Sequence, residues 1–440
     1  MLPILAVAAL VLGITYYQSI QGLFSSLIMA VLTVLCAAVA VNFYEPVASI
    51  LLYTRQPAYA DAIALTALFV LPLLGLRLAA DRLIAGNVVL PRWLDRFGGS
   101  LAGLITGILH MGILMLVVQM LPFGPSVMGY QPFDEMLRRK DRLVPFYPDE
   151  FTIGLGKMLS AGAFSGRRSF ARAHDDLLLE LYCARNRPNR IRRLKGRKML
   201  QSRLGRFDAM PGHLRVEAAY ECEPQHVEQW CQEDVHPLLR HEPLPYEKNN
   251  AQKGELRKII VVRTLVDKGA REGAGSHAAV NWWVLPATQF RLVGEGGRSF
   301  YPVGYLTHLD DEKAIKEARR DSMRRRATTT PSDKPVEVEW RGTRLKLWVK
   351  PQQWKFIAAA HDRTKTQWFL TELIVEREWV GGKDDLVVDW VYRIPVNEVP
   401  AYMVFRRVAK AAVPKPVTAQ EAGKVLFSKE FSDQALDRRV

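Results

Sequence analysis

Charge is missing from the start of the chain. No Asp, Glu, Lys or Arg occurs before Glu45, and no Lys or Arg before Arg55. An uncharged apolar run of that length is too long for one membrane helix of about 20 residues and long enough for two. It also argues against a cleaved leader, which needs a basic segment ahead of a short apolar core. Cysteine is scarce as well, with only Cys36, Cys183, Cys222 and Cys231. That is no disulfide framework, although a Cys222–Cys231 bridge stays open if that part lies outside the cytoplasm. The chain lacks G-x-x-x-x-G-K-[ST], H-E-x-x-H and C-x-x-C, so P-loop nucleotide and common zinc chemistry find no support. Cys222, His226, Cys231 and His236 fit no common zinc spacing and read as coincidence in a helical stretch.

What is present divides sharply. Residues 1–96 hold five basic and four acidic side chains and are otherwise mostly apolar, so all but one unit of the net charge of +15 lies beyond them. Gln18, Ser19, Gln21 and Gly22 interrupt the first run. The pattern predicts helix 1 over 2–17, helix 2 over 23–43, helix 3 over 60–78 with Pro72 inside, and helix 4 over 97–121. Proline is tolerated inside membrane helices because neighbours satisfy the freed carbonyl. Gly99, Gly103 and Gly107 recur every four residues and so share one face of helix 4, where small residues let another helix approach closely in lipid. That face is the expected packing surface and a candidate route to a homo-oligomer. His110 lies on the same helix. An intramembrane polar side chain marks either a hydrogen bond across the bundle or a proton or solute path.

Four spans put the start of helix 1 and the segment after helix 4 on one side. Positive residues near span ends favour the cytoplasm. The 3–4 loop has Arg77, Arg82, Arg92 and Arg96; the opposite side has Arg55 and, some distance from helix 4, Arg138, Arg139 and Lys140. The distance of the last three tilts the reading toward a cytoplasmic 3–4 loop and an extracytoplasmic C-terminal part.

Over Ala79-Ala-Asp-Arg-Leu83 and Leu94-Asp-Arg-Phe-Gly-Gly-Ser-Leu-Ala-Gly-Leu-Ile-Thr-Gly-Ile108 the chain resembles the colicin V production (CvpA) family. The Gly22-Leu-Phe turn fits as well, although the basic residue that members often carry near it is absent. The resemblance covers about residues 4–122. It implies a four-helix inner-membrane domain, with Asp81, Arg82, Asp95 and Arg96 as motif residues. They read as interfacial charge pairs. The family association is with colicin V production, toxin biosynthesis or export, and envelope function.

From Arg185 to Arg206 ten basic residues occur with no acid, including Arg190, Arg192, Arg193, Lys195, Arg197 and Lys198. A solvated linker and a contact for anionic lipid or another polyanion both fit. Nucleic acid fits poorly, because the run has no aromatics for base stacking. Just before it, 164–183 reads as one helix.

Beyond Arg257 the period changes to that of strands: 258–266, 281–293, 337–349, 367–379, 386–394 and 401–407. Glycine turns at 294–297 and 381–382 separate some of them. The pattern predicts an antiparallel sandwich. The phrases 285–302 and 387–395 followed by 401–405 loosely resemble immunoglobulin-like extracytoplasmic domains. Some CvpA-like proteins carry a protease there, but Gly162-Ala-Phe-Ser-Gly166 and Gly273-Ala-Gly-Ser-His277 lack the turn pattern and strand context of a serine nucleophile.

The expected architecture is an α-helical membrane bundle of four transmembrane helices plus a C-terminal mainly-β, sandwich-like soluble domain. Its segments are 1–123 (bundle), 124–255 (helical and basic linker), 256–410 (β domain) and 411–440 (tail). The expected function is non-enzymatic and without a cofactor: anchoring an extracytoplasmic domain that meets an envelope partner. A small oligomeric channel and a cytoplasmic lipid-binding domain are the alternatives.

Overall fold

The computed structural model describes residues 2–51, 53, 58–84, 91–121, 129–133, 139–140, 144–162, 164–166, 169–185, 209–222, 255–270, 282–307, 336–340, 343–347, 355–358, 372–376 and 385–417. The chain forms two compact units, 1–207 and 208–440.

The first unit is helical: α1 (Leu2–Gln21), α2 (Leu23–Leu51), α3 (Ala60–Leu83), α4 (Arg92–Met120), α5 (Pro148–Ala161), α6 (Phe170–Ala173) and α7 (Leu177–Arg185). The first four are long and apolar enough to cross a membrane. Leu27, Val31 and Leu35 of α2 and Leu71, Leu74 and Leu78 of α3 are exposed at helical spacing, as a lipid-facing surface requires. Each helix extends past its apolar stretch, because the backbone ladder continues through end residues that hydropathy does not register. α2 runs through Pro46 to Leu51, and α4 starts at Arg92. Only Gly22 separates α1 from α2, with φ of +87°, a conformation that glycine adopts without a Cβ penalty.

α1 lies antiparallel on α4, and α3 antiparallel on α2. Arg77 near the end of α3 donates to Ser25 Oγ at 3.0 Å near the start of α2. At the other end Tyr53 donates to Asp61 Oδ1 at 2.8 Å. α5 packs on α4 and α2. Its start carries Pro148 in the first turn with Asp149 and Glu150, favourable at a helix N-terminus. Where one helix is expected over 164–183, there are two. Asp176 Oδ1 accepts the Leu179 N–H at 3.1 Å and caps a new helix. Leu177, Leu178, Leu181 and Tyr182 are then all buried.

The second unit has strands β1 (Leu214–Cys222), β2 (Arg257–Val266), β3 (Trp282–Pro286), β4 (Phe290–Gly294), β5 (Ser299–Phe300), β6 (Gly304–Thr307), β7 (Val336–Trp340), β8 (Thr343–Leu347), β9 (Lys355–Ala358), β10 (Glu372–Glu376), β11 (Leu386–Pro395), β12 (Pro400–Phe405) and β13 (Ala409–Ala412). An antiparallel sheet of order β1-β2-β11-β6-β9 and another of order β13-β12-β4-β5 share one core. Ile260, Val262, Trp390 and Tyr392 come from the first, Phe290, Leu292, Met403 and Phe405 from the second. Phe290 stacks on Phe405 with ring centres 4.4 Å apart and meets Trp390 at 4.5 Å.

The expected strand 281–293 is two. Pro286, which has no N–H for a ladder, precedes a short 3₁₀ turn at Ala287–Gln289, so β3 pairs with β10 and β4 with β12. The expected strand 337–349 is the hairpin β7–β8, with Glu337 across from Lys346 and Glu339 from Arg344. Period-two alternation runs through both arms of a hairpin, so it does not distinguish one strand from two. β1 starts upstream of residue 256 and pairs along β2 from Leu214↔Val266 to Cys222↔Ile259.

Candidate functional site

The motif residues meet at one end of the bundle. Asp95 sits in the first turn of α4, and its Oδ1 accepts the Leu23 N–H, the first of α2, at 2.6 Å. A Cβ on Gly22 would lie 2.7 Å from Asp95 Oδ2, so glycine there makes room for the carboxylate. The anion also faces the positive end of the α2 dipole. Gly98 seats Leu23, and Ser26 Oγ donates to the Gln18 carbonyl at 2.7 Å. Asp95, Gly98 and the Gly22 turn thus act together to set how α4 meets the α1–α2 junction. Asp81 instead pairs with Arg77 at 3.1 Å, one turn away on α3. Arg82 and Arg96 are exposed.

The glycine face lies against α1 of the same chain. Gly99 faces Gln18, Ser19 and Gly22; Gly103 faces Thr15 and Gln18; Gly107 faces Val11. A Cβ at Gly103 would lie 2.7 Å from the Gln18 Cβ and 3.1 Å from Thr15 backbone. His110 turns toward α3, with Nδ1 2.8 Å from the Thr106 carbonyl and its ring edge-on to Phe69 at 5.1 Å. It is not among the glycine contacts.

A second polar cluster, which the sequence reading misses, lies at the other end. Asp149 of α5 is buried and accepts from the Tyr130 hydroxyl at 2.6 Å and from Gln119 Nε2 at 3.3 Å. Burial and the Asp149 carboxylate push the Tyr130 phenol up. His174, fully enclosed between α6 and α7, places Nδ1 2.7 Å from Glu180 Oε2 and Nε2 3.7 Å from Glu45 Oε2 on α2. Burial alone would lower the imidazole, but the Glu180 and Glu45 carboxylates outweigh it and hold His174 above its ordinary range. A signal was available. Glu45 ends the uncharged run, and a carboxylate at a span end calls for a named partner.

In the second unit Asp389 of β11 and Arg263 of β2, opposite each other in register, form two 2.8 Å hydrogen bonds and are buried. Glu398 is buried under the 294–297 turn, where Oε1 accepts the Gly296 N–H at 2.9 Å. Cys222 is a free, buried thiol, pushed up by that burial; Cys231 lies outside the described residues. The basic set Arg190, Arg192, Arg193, Lys195, Arg197 and Lys198 lies outside them too. No group of three or more His, Cys, Asp or Glu among the described residues could hold a metal ion.

Four apolar spans joined by a capped turn and a glycine-faced contact define a multi-pass helical membrane protein, with an antiparallel β unit on the same chain. The family model described as Colicin V production protein matches residues 5–135, so the N-terminal region is a domain of that family. No curated protein and no solved structure matches the chain.

Proposed function

We propose that this is a non-enzymatic protein of the inner membrane whose CvpA-type bundle anchors the β unit outside the cytoplasm, where it meets an envelope partner. The observation that carries the reading is the pairing on one chain of a family-matched four-span domain with a β unit built around its own core. The orientation is supported by Arg77, Arg82, Arg92 and Arg96, which lie at the ends of α3 and α4, whereas the opposing Arg138, Arg139 and Lys140 lie farther from a span end. The family description supports a role in colicin V production. The basic run 185–206 would offer the partner, or anionic lipid, a cationic contact. A reporter active only outside the cytoplasm, fused after Val440, is expected to be active. An inactive reporter, with an active cytoplasmic reporter at the same place, overturns the orientation.

A second reading is a small oligomeric channel. It is favoured by Gln18 Oε1, Thr33 Oγ1 and Gln119 Oε1, which are buried within the spans and have no hydrogen-bond partner among the described residues. Ion flux into liposomes that falls with His110→Leu or Thr33→Val would support it. The absence of flux above that of empty liposomes would end it.

A further inference from the structure

Helix α5 has the wrong polarity for a helix facing water. Toward the bundle it buries Asp149, Thr152, Gly156 and Ser160 together with Pro148 and one large apolar side chain, Ile153. Outward it turns Phe151, 46% exposed, and Met158, 64% exposed, with Gly154 exposed and Leu155 half-buried between them. Positions 151, 154, 155 and 158 share one helix face. A water-facing surface helix has the opposite arrangement, apolar side in and polar side out.

Its depth can be measured along its neighbours. Polar contacts fix one boundary of the bundle at the start of α2, where Leu23 meets Asp95 and Ser25 meets Arg77. Gly156 packs against Val41, and its carbonyl accepts from Asn42 Nδ2 at 3.3 Å. Val41 lies about 27 Å along α2 from Leu23 at 1.5 Å per residue. On α4, Pro148 and Thr152 pack against Gly112, about 21 Å beyond Gly98, which seats Leu23. α5 therefore crosses α4 and α2 within the far third of a hydrocarbon layer about 30 Å thick. The apolar surface continues on both sides. Phe146 is exposed just before the helix. Just after it, Phe164 meets the partly exposed Phe43 of α2 edge-on at 5.4 Å. The polar groups at its margins are occupied: Glu150 pairs with Arg139, and Lys157 donates to the Asp175 carbonyl.

We propose that α5 is an interfacial helix whose Phe151–Met158 face lies in the bilayer hydrocarbon, a membrane contact additional to the four spans and beyond the family-matched residues. Hydrocarbon suits this face because it is apolar, continuous with the lipid-facing side of α2, and backed by polar groups directed into the bundle. The inference rests on the bundle crossing the bilayer.

The test uses the whole chain reconstituted in phosphatidylethanolamine–phosphatidylglycerol vesicles that contain a carbene-forming phosphatidylcholine. After photolysis, trypsin cleavage at Arg142, Lys157 and Arg167 places Phe151 and Met158 on separate peptides. Lipid adducts are expected at both residues as well as on the spans. Hydroxyl radicals generated in the water phase are expected to spare Met158. Adducts on the spans but not on the two α5 peptides, with Met158 oxidised, would show a water-facing helix and overturn the proposal alone. Protection from both reagents would place a second copy of the chain over the face, and would also overturn it. Absence of adducts from the spans would overturn this inference and the membrane assignment together.

Discussion

Asp95 caps a helix that lies 72 residues away in the sequence: its Oδ1 accepts the Leu23 N–H at 2.6 Å. The first N–H groups of a helix have no partner within it, and in a membrane domain the cost of leaving them bare is high. Replacing Asp95 with Ala removes the acceptor and the negative charge at the α2 N-terminus. The expected loss is about 1 kcal/mol of bundle stability. Asp95→Asn keeps an acceptor and should lose less. Thermal unfolding in a mild detergent, read by helical circular dichroism, checks the order wild type, Asn, Ala. An Ala variant as stable as wild type would remove the capping role.

The glycines of α4 differ from Gly75 of α3 in what surrounds them. A Cβ on Gly103 meets the Gln18 side chain and Thr15 backbone within 3.1 Å, and one on Gly107 meets the Val11 carbonyl at 2.9 Å. Backbone cannot rotate away, so α1 must move. Gly103→Ala and Gly107→Ala are each expected to cost about 1–3 kcal/mol. Nothing lies within 4 Å of a Cβ on Gly75, which is exposed, so Gly75→Ala is expected to be neutral or stabilising by up to about 1 kcal/mol. The same unfolding assay separates them.

The spans were legible because lipid demands one simple thing of a sequence, an apolar run of sufficient length, and residues 2–51 supply it twice. The partners of Asp95 and Glu45 were not legible. Each charge meets its partner through tertiary packing, and no spacing rule connects position 95 to 23 or 45 to 174. The bounds of α5 within the helical linker region are not legible for a related reason. Its buried residues are mostly polar or small, Asp149, Thr152, Gly156 and Ser160 beside Pro148 and Ile153, which blurs the apolar-inside pattern that marks a surface helix. In the β unit alternation revealed strand character, but β3 and β4 ran together because Pro286 and a three-residue turn are the only break.

Arg263 and Asp389 form a buried ion pair with both hydrogen bonds at 2.8 Å. Removing one partner strands the other charge away from water. Arg263→Met or Asp389→Leu alone is expected to cost about 3–5 kcal/mol. The double replacement should recover most of that loss, since two apolar side chains leave no uncompensated charge. Denaturant unfolding followed by Trp390 and the other tryptophans measures the cycle. Additive single effects would show that the pair is not coupled.

His174 ties three elements together, with Glu45 of α2 at one ring nitrogen, Glu180 of α7 at the other, and Tyr44 of α2 and Phe170 of α6 against the ring. Its folded-state value lies above the ordinary imidazole value of about 6.5. A group raised in this way contributes its full stabilisation below the unfolded value, and that stabilisation fades as pH rises through the folded value. Above that point neutral His174 no longer offsets the buried Glu180 and half-buried Glu45 carboxylates, and the docking of 170–185 on α2 weakens. Within the window starting near 6.5, the equilibrium for opening this segment is expected to rise by up to about tenfold per pH unit. Hydrogen exchange of the α6–α7 amides, corrected for intrinsic base catalysis, reads it directly. His174→Gln keeps a polar side chain without the titration, so it should remove the pH dependence and leave the segment partly open throughout. Equal slopes in wild type and His174→Gln would assign the pH response to another group.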